Sequence, residues 1–198
     1  MYLDETLPES AKLDQTAEGD HVAASNLYDA AYFHSGCGPI PYERNERWLC
    51  FFAGIAEEIA RSLKPRKVFD AGCAKGLLVE ALWARGIETW GVDISSYAIS
   101  QVRRDVQPYC RVASLTEPIA GTYDLITCIE VLEHMTADRA RIAIRNMTVA
   151  TNAILFSSTP SDFNEPTHVN VQPVISWLRL FAEFNFQPDL FGREAHLF

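Results

Sequence analysis

The residues best suited to chemistry fall at the ends of short apolar runs. KVFDAGCAKG places Asp70, Gly72 and Gly76 directly after Val68 and Phe69 and before LLVEALW. A second acid, Asp93, closes the run ETWGVD, 23 residues after Asp70. A third run, LITCI, ends at Glu130 and leads into VLEHM, which carries Glu133 and His134. A carboxylate at a strand end can accept hydrogen bonds from a ribose diol, and a glycine between strand and helix lets backbone approach a ligand. The helix that follows aims unpaired N–H groups at the same place. His134 and His168 are the candidate general bases, because imidazole takes up a proton near neutral pH. His168 lies in the long segment TPSDFNEPTHVNVQ. There Pro160 and Pro166 restrict the backbone, and Asn164, Glu165 and Asn170 could orient the ring. His34, in YFHSGCG, is a candidate lid residue.

These side chains need a frame that gathers the ends of separate runs. The spacing of Trp48, Phe52, Ile55 and Ile59 predicts a helix over 43–63, ended by Pro65. An alternation follows: strand 67–71, helix 76–85, strand 87–93, and a helix capped by Ser95 or Ser96. Strands near 109–113 and 123–129 come next, then a helix over 138–151, strand 153–158 and a helix over 173–185. Such alternation predicts an α/β fold: one doubly wound, mostly parallel sheet with helices on both faces, binding ligand beyond the carboxyl ends of its strands. A shortened strand pair, Phe186–Arg193 and Ala195–Phe198, is expected to close the sheet. Residues 1–42 read as an N-terminal segment and lid, and 43–198 as the binding domain. Asn26 to Tyr42 is rich in aromatics yet broken by glycines and prolines, so it cannot be one regular element. Arg139, Arg141 and Arg145 read as a solvated helix face, and Cys73 and Cys128 as apolar fillers.

Two acids and two glycines at neighbouring strand ends describe a slot for a nucleoside. A dinucleotide loop would be G-x-G-x-x-G; here an acid stands first and the second glycine is missing. An acid repels a pyrophosphate but suits a ligand with ammonium and sulfonium charges, which points to S-adenosylmethionine (SAM). VFDAGCAKG resembles the first motif of the class I SAM-dependent methyltransferases, D-x-G-x-G-x-G, with Ala74 at the middle glycine. GVDIS is similar to the second-strand acid motif of that family, and YDLITCIEVLEHM to its fourth-strand motif. The likeness covers roughly residues 66–185, and among such enzymes the chain looks most like bacterial ones of glycan and small-molecule biosynthesis. The resemblance implies that Gly72, Cys73, Ala74 and Gly76 hold the methionyl part, with Asp70 and Glu130 beside it. It further implies that Asp93 and Ile94 meet the ribose, and Ser114 and Leu115 the adenine edge, where many relatives carry an aspartate.

The expected activity is methyl transfer from SAM, leaving S-adenosylhomocysteine (SAH), to a small-molecule or sugar acceptor at oxygen, with His168 or His134 assisting. A SAM- or SAH-binding protein without turnover is the alternative. Composition bounds the rest. With 198 residues, 48% hydrophobic and 22% charged, the chain suits one globular domain. A net charge of −9 gives no electrostatic reason to bind nucleic acid. Five cysteines without CxxC spacing fit reduced thiols, and no apolar run approaches a membrane span. A cytoplasmic protein without a metal is the expectation, and the oligomeric state is open.

Overall fold

The computed structural model describes residues 27–189. A single π-helical turn, Tyr32–Gly36, precedes helix α1, Glu46–Glu58. Asn45 caps α1 by accepting from the Trp48 N–H (3.2 Å), which starts the helix later than its apolar spacing suggests. A π turn, Ile59–Leu63, continues it, and Lys64 ends it in the left-handed region just before Pro65. There follow β1 (Lys67–Ala71), α2 (Leu77–Trp83), β2 (Glu88–Asp93), α3 (Ser96–Ser100) and β3 (Cys110–Val112). The chain continues through β4 (Leu125–Ile129), α4 (Ala137–Ala150), β5 (Ile154–Ser157) and α5 (Val174–Ala182). Ser95 rather than Ser96 caps α3, its Oγ accepting from the Ala98 N–H (2.9 Å).

All five strands run parallel in the order β3-β2-β1-β4-β5, so the order reverses between β1 and β4. Both faces are covered, as the unbroken burial of Val68 through Ala71 requires. On one face Ala56, Ile59, Leu78 and Leu82 pack with Val68 and Leu125. On the other, α4 presents Ala140, Ala143, Ile144 and Met147 to Phe69, Ile126 and Cys128, and α5 adds Trp177 and Phe181. Buried Glu80 of α2 receives Arg44, just ahead of α1, and Arg103, beyond α3, so the amino end of α1 is tied to the domain.

The expected doubly wound sheet is therefore present. The expected carboxyl-terminal strand pair is not supported by its described part: Phe186–Asp189 is irregular, and Phe186 packs back on the core instead. The remainder of that pair, and residues 1–26, lie outside the described residues. No helix among the described residues is long and apolar enough to cross a membrane.

Candidate active site

The turn after β1 is fixed by backbone bonds to β2: the N–H groups of Gly72 and Cys73 both donate to the Val92 carbonyl (2.9 Å each). Gly72 adopts φ +86°, and a Cβ on it would lie 2.4 Å from Val131 Cγ2, so any other residue would be strained and would push Val131 aside. Ala74 follows at φ +45° and donates its N–H to Asp93 Oδ2 (2.8 Å). A left-handed alanine costs about 1–2 kcal/mol, which accounts for the glycine the resemblance leads one to expect there. The other oxygen of Asp93 accepts from the Ser95 N–H (2.8 Å). Burial raises the Asp93 pKa, while N–H groups of Ser95, Ala74 and Ile94 oppose it. An aimed carboxylate with lone pairs to spare thus stands at the end of β2.

Asp93 opens onto a cavity of about 810 Å³. Gly72, Ala74, Ile94, Ser114, Leu115 and Glu130 line it from the strand ends, flanking the β1/β4 reversal. Ser114 spends its hydroxyl on Thr116, through Oγ1 (2.8 Å) and the N–H (3.1 Å). Glu130 sits in the left-handed region (φ +53°) and accepts from Ser157 Oγ (2.8 Å). Left-handed backbone on a non-glycine residue at a strand end is strain of the kind that collects at functional sites.

Three of the expected site residues do not line this cavity. Asp70 lies within β1, opposite Thr127 of β4, and accepts from its hydroxyl (2.7 Å). Burial pushes Asp70 up to about 7, with the charge of Asp93 adding and the Thr127 hydroxyl opposing. Cys73 is buried against Gly91. Gly76, at φ +69°, lets α2 start close to Val102 and Cys110.

A second part of the wall is aromatic. Tyr28, Tyr32, Phe33 and Tyr42 come from the segment before α1, and Trp48, Phe51 and Phe52 from α1 itself. Their rings form a connected chain: Tyr28 to Tyr32 (4.9 Å), Tyr32 to Phe33 (5.2 Å), Phe33 to Tyr42 (5.9 Å) and Tyr42 to Trp48 (4.9 Å). Two bonds join this segment to the loops after β1 and β2, Lys75 Nζ to the Tyr42 carbonyl (2.7 Å) and Ser95 Oγ to the Tyr28 carbonyl. Arg139, expected on a solvated helix face, lines the cavity, as do Trp48 and Phe52 from the apolar side of α1, and Phe52 also packs against the core. His34 does not; it is exposed, 3.6 Å from Glu43.

The third part holds both histidines. Their rings lie 4.6 Å apart, and the Tyr28 ring meets His134 edge-on at 5.8 Å. His134 Nδ1 is 2.9 Å from Thr167 Oγ1. Burial is the main cause of a lowered His134 pKa; Glu165 opposes it, and the charge that His168 can carry adds to it. His168 has neither nitrogen open: Nδ1 meets the Asp162 carbonyl (2.8 Å) and Nε2 a carboxylate oxygen of Glu165 (2.9 Å). Fully buried Glu133 underlies this end, its carbonyl accepting from the Asn170 N–H (2.9 Å) and so holding the β5–α5 loop. Burial, with the neighbouring Glu130, pushes Glu133 up to about 8. Glu165, expected to orient a histidine ring, meets His168, whereas Thr167, Tyr28 and Tyr32 were not singled out as acting on a base. The adjacency of Thr167 to His168 was the one local signal.

Comparison with known proteins places these features in a family. The sequence profile described as a methyltransferase domain matches residues 42–189, which is most of the chain. The ubiquinone biosynthesis O-methyltransferase of Bordetella avium is 33% identical over 87 residues, covering 40% of this chain and 36% of that protein. Its counterpart from Idiomarina loihiensis is 29% identical over 114 residues, covering 54% and 47%. The chain thus spans less than half the length of these relatives. Among solved structures, the SAM-bound magnesium protoporphyrin IX methyltransferase of Synechocystis PCC 6803 shares the fold, with a TM-score of 0.62. Its identity is 16%, over 93% of this chain and 89% of that one. A SAM-dependent methyltransferase from Archaeoglobus fulgidus superposes with a TM-score of 0.57 at 18% identity, over 71% and 69%. With its profile match running from Tyr42 at the cavity wall through all five strands, the chain belongs to the methyltransferase-domain family.

Proposed function

We propose that this protein is a SAM-dependent methyltransferase that methylates a small molecule at oxygen. The observation that carries the reading is Asp93, a buried carboxylate held by backbone N–H groups at the mouth of an 810 Å³ cavity. A ribose diol is the natural donor for its remaining lone pairs. The site fits SAM in two further respects. Gly72 brings bare backbone to the cavity wall, with Val131 packed where a Cβ would stand, and Glu130 offers a carboxylate to an ammonium group. In this reading Gly72, Ala74 and Glu130 meet the methionyl part, Asp93 and Ile94 the ribose, and Ser114 and Leu115 the adenine. Asp70, Cys73 and Gly76 support the loop from behind.

When bound, SAM supplies a methyl on a sulfonium, whose C–S bond breaks with its electron pair left on sulfur as an acceptor oxygen forms the new C–O bond. The chain has to align that oxygen, exclude water and receive its proton; alignment alone can supply much of the acceleration. His134 is the proposed base. Burial keeps it neutral at neutral pH, whereas both nitrogens of His168 are already engaged. The balance of expectation between the two histidines therefore moves to His134, with His168 as its neighbour. The ring-lined wall favours a planar, apolar acceptor over a sugar, whose many hydroxyls would find few partners there.

The test is calorimetry with SAM, SAH and NAD, followed by SAM consumption with a panel of hydroxylated aromatics. Binding of SAM and SAH but not NAD is expected. Asp93→Ala should weaken SAM by roughly 1.5–3 kcal/mol, or about 10- to 150-fold. Binding of NAD without either SAM form would overturn the reading.

A further inference from the structure

His134 is an acceptable base only if the nitrogen facing the substrate carries a lone pair, and the hydrogens around it decide which nitrogen that is. Thr167 Oγ1 lies between His134 Nδ1 and Glu165 Oε1, bonded to both. A threonine hydroxyl has one hydrogen, and a carboxylate can only accept. The Thr167 hydrogen therefore points to Glu165, and the oxygen faces His134 with a lone pair. The contact closes only if His134 Nδ1 brings the hydrogen. The opposite arrangement, with Thr167 donating to Nδ1, would set two lone pairs against each other at the Glu165 contact. Glu165 is itself fixed, its other oxygen meeting His168 Nε2 at 2.9 Å, and His168 is held from behind by the Asp162 carbonyl. Thr167 is buried, so water does not compete for the hydroxyl.

We infer that Thr167, oriented by Glu165, is a positioning residue that holds His134 as the Nδ1–H tautomer, leaving the Nε2 lone pair to take the acceptor's proton. Which ring nitrogen is protonated is set by the bond the other one makes, so a single side-chain hydrogen governs the direction of proton transfer. The segment before α1 reaches the same ring through Tyr28 and Tyr32, which meet His134 edge-on at 5.8 and 6.3 Å. The inference rests on reading His134 as the base, and it adds the group that prepares it. The charged groups facing His134 are Glu165 and Glu130, which favour its protonated form, and His168, which opposes it.

The tautomer can be read without knowing the acceptor. Nitrogen NMR of histidine-labelled protein with SAH added, near neutral pH, should show His134 with hydrogen on Nδ1 and none on Nε2. Thr167→Ser should keep that signature. Thr167→Val should lose it, the hydrogen moving to Nε2. Glu165→Gln is the sharper variant, because its amide can donate to Thr167 and release the hydroxyl to turn onto Nδ1; the tautomer should then invert with Thr167 still present. SAH affinity, measured by calorimetry, should stay within about twofold of the parent in the serine and glutamine variants. A parent spectrum with hydrogen on Nε2, or a Glu165→Gln spectrum unchanged from the parent, would overturn the inference. Loss of SAH binding by the parent would instead overturn the reading of the site as a methyltransferase.

Discussion

Asp70→Asn should make the protein more stable, by an amount that grows with pH. In the unfolded chain an aspartate ionises near 3.8, whereas burial in β1 pushes Asp70 up to about 7. Between those values the folded state keeps a proton that the unfolded state has released. The stability Asp70 permits is therefore complete below the lower value and is lost as pH rises through the upper one. A gap of roughly three pH units corresponds to about 4 kcal/mol at most, and local relaxation brings the expected figure to about 2–4 kcal/mol. Glu133 works in the same direction, up to about 8. His134 works in the opposite one: its pKa is lowered from 6.5, so stability rises with pH until that value is passed. Subtracting the parent curve from that of Asp70→Asn cancels both. The substituted amide keeps the bond to Thr127, since it can both accept and donate. Urea denaturation followed by far-ultraviolet circular dichroism should show a difference near zero at about pH 4. The variant should lead by about 2–4 kcal/mol at about pH 8. A difference flat within about 0.5 kcal/mol across that range would mean that Asp70 ionises in the fold at little cost, and the burial argument would fail.

Other consequences follow from the same geometry. Gly72→Ala should cost about 1–2 kcal/mol for its left-handed backbone and about 1–3 more for the contact with Val131. Thermal melts of the Gly72→Ala, Val131→Ala double variant should recover the second part only, and recovery of neither or both would refute the partition. Ala74→Gly should stabilise the loop by up to about 1 kcal/mol, visible as a raised melting temperature, because relief of strain outweighs the added chain entropy. Amide exchange over Tyr28–Tyr42 should slow when SAH is added, and slowing confined to residues 70–76 would make the aromatic segment a fixed wall rather than a lid. His134→Ala should lower methyl transfer by about 10²–10⁴-fold, with His168→Ala falling well short of that; the reverse order would return the base to His168.

The strand ends were legible in the sequence because their chemistry is local. Gly72 and Asp93 each follow an apolar run, and the alternation of strands with helices is enough to bring such ends to one edge. Asp70 shows where locality stops. Its carboxylate meets Thr127 because β1 pairs with β4 in one particular register, and no pattern within either strand encodes that register. Arg139 was misread for a related reason. Helical spacing tells which residues share a face, but not whether that face meets the core or a cavity.

The base is the sharpest case. Both histidines were candidates in the sequence, with His168 favoured for its long loop, and what separates them is the engagement of both His168 nitrogens and a hydrogen bond that spans 33 positions, between His134 and Thr167. Thr167 has no distinguishing feature in the sequence beyond standing next to a histidine. Its role comes from the one hydrogen it gives to Glu165, which leaves its oxygen to accept from His134, side chains brought by the β5–α5 loop and the end of β4. The segment before α1 is tied by Lys75 and Ser95 to the loops that frame Asp93, and its Tyr28 and Tyr32 rings meet His134. On the proposed reading, SAH bound at Asp93 should therefore alter the surroundings of His134 through this segment.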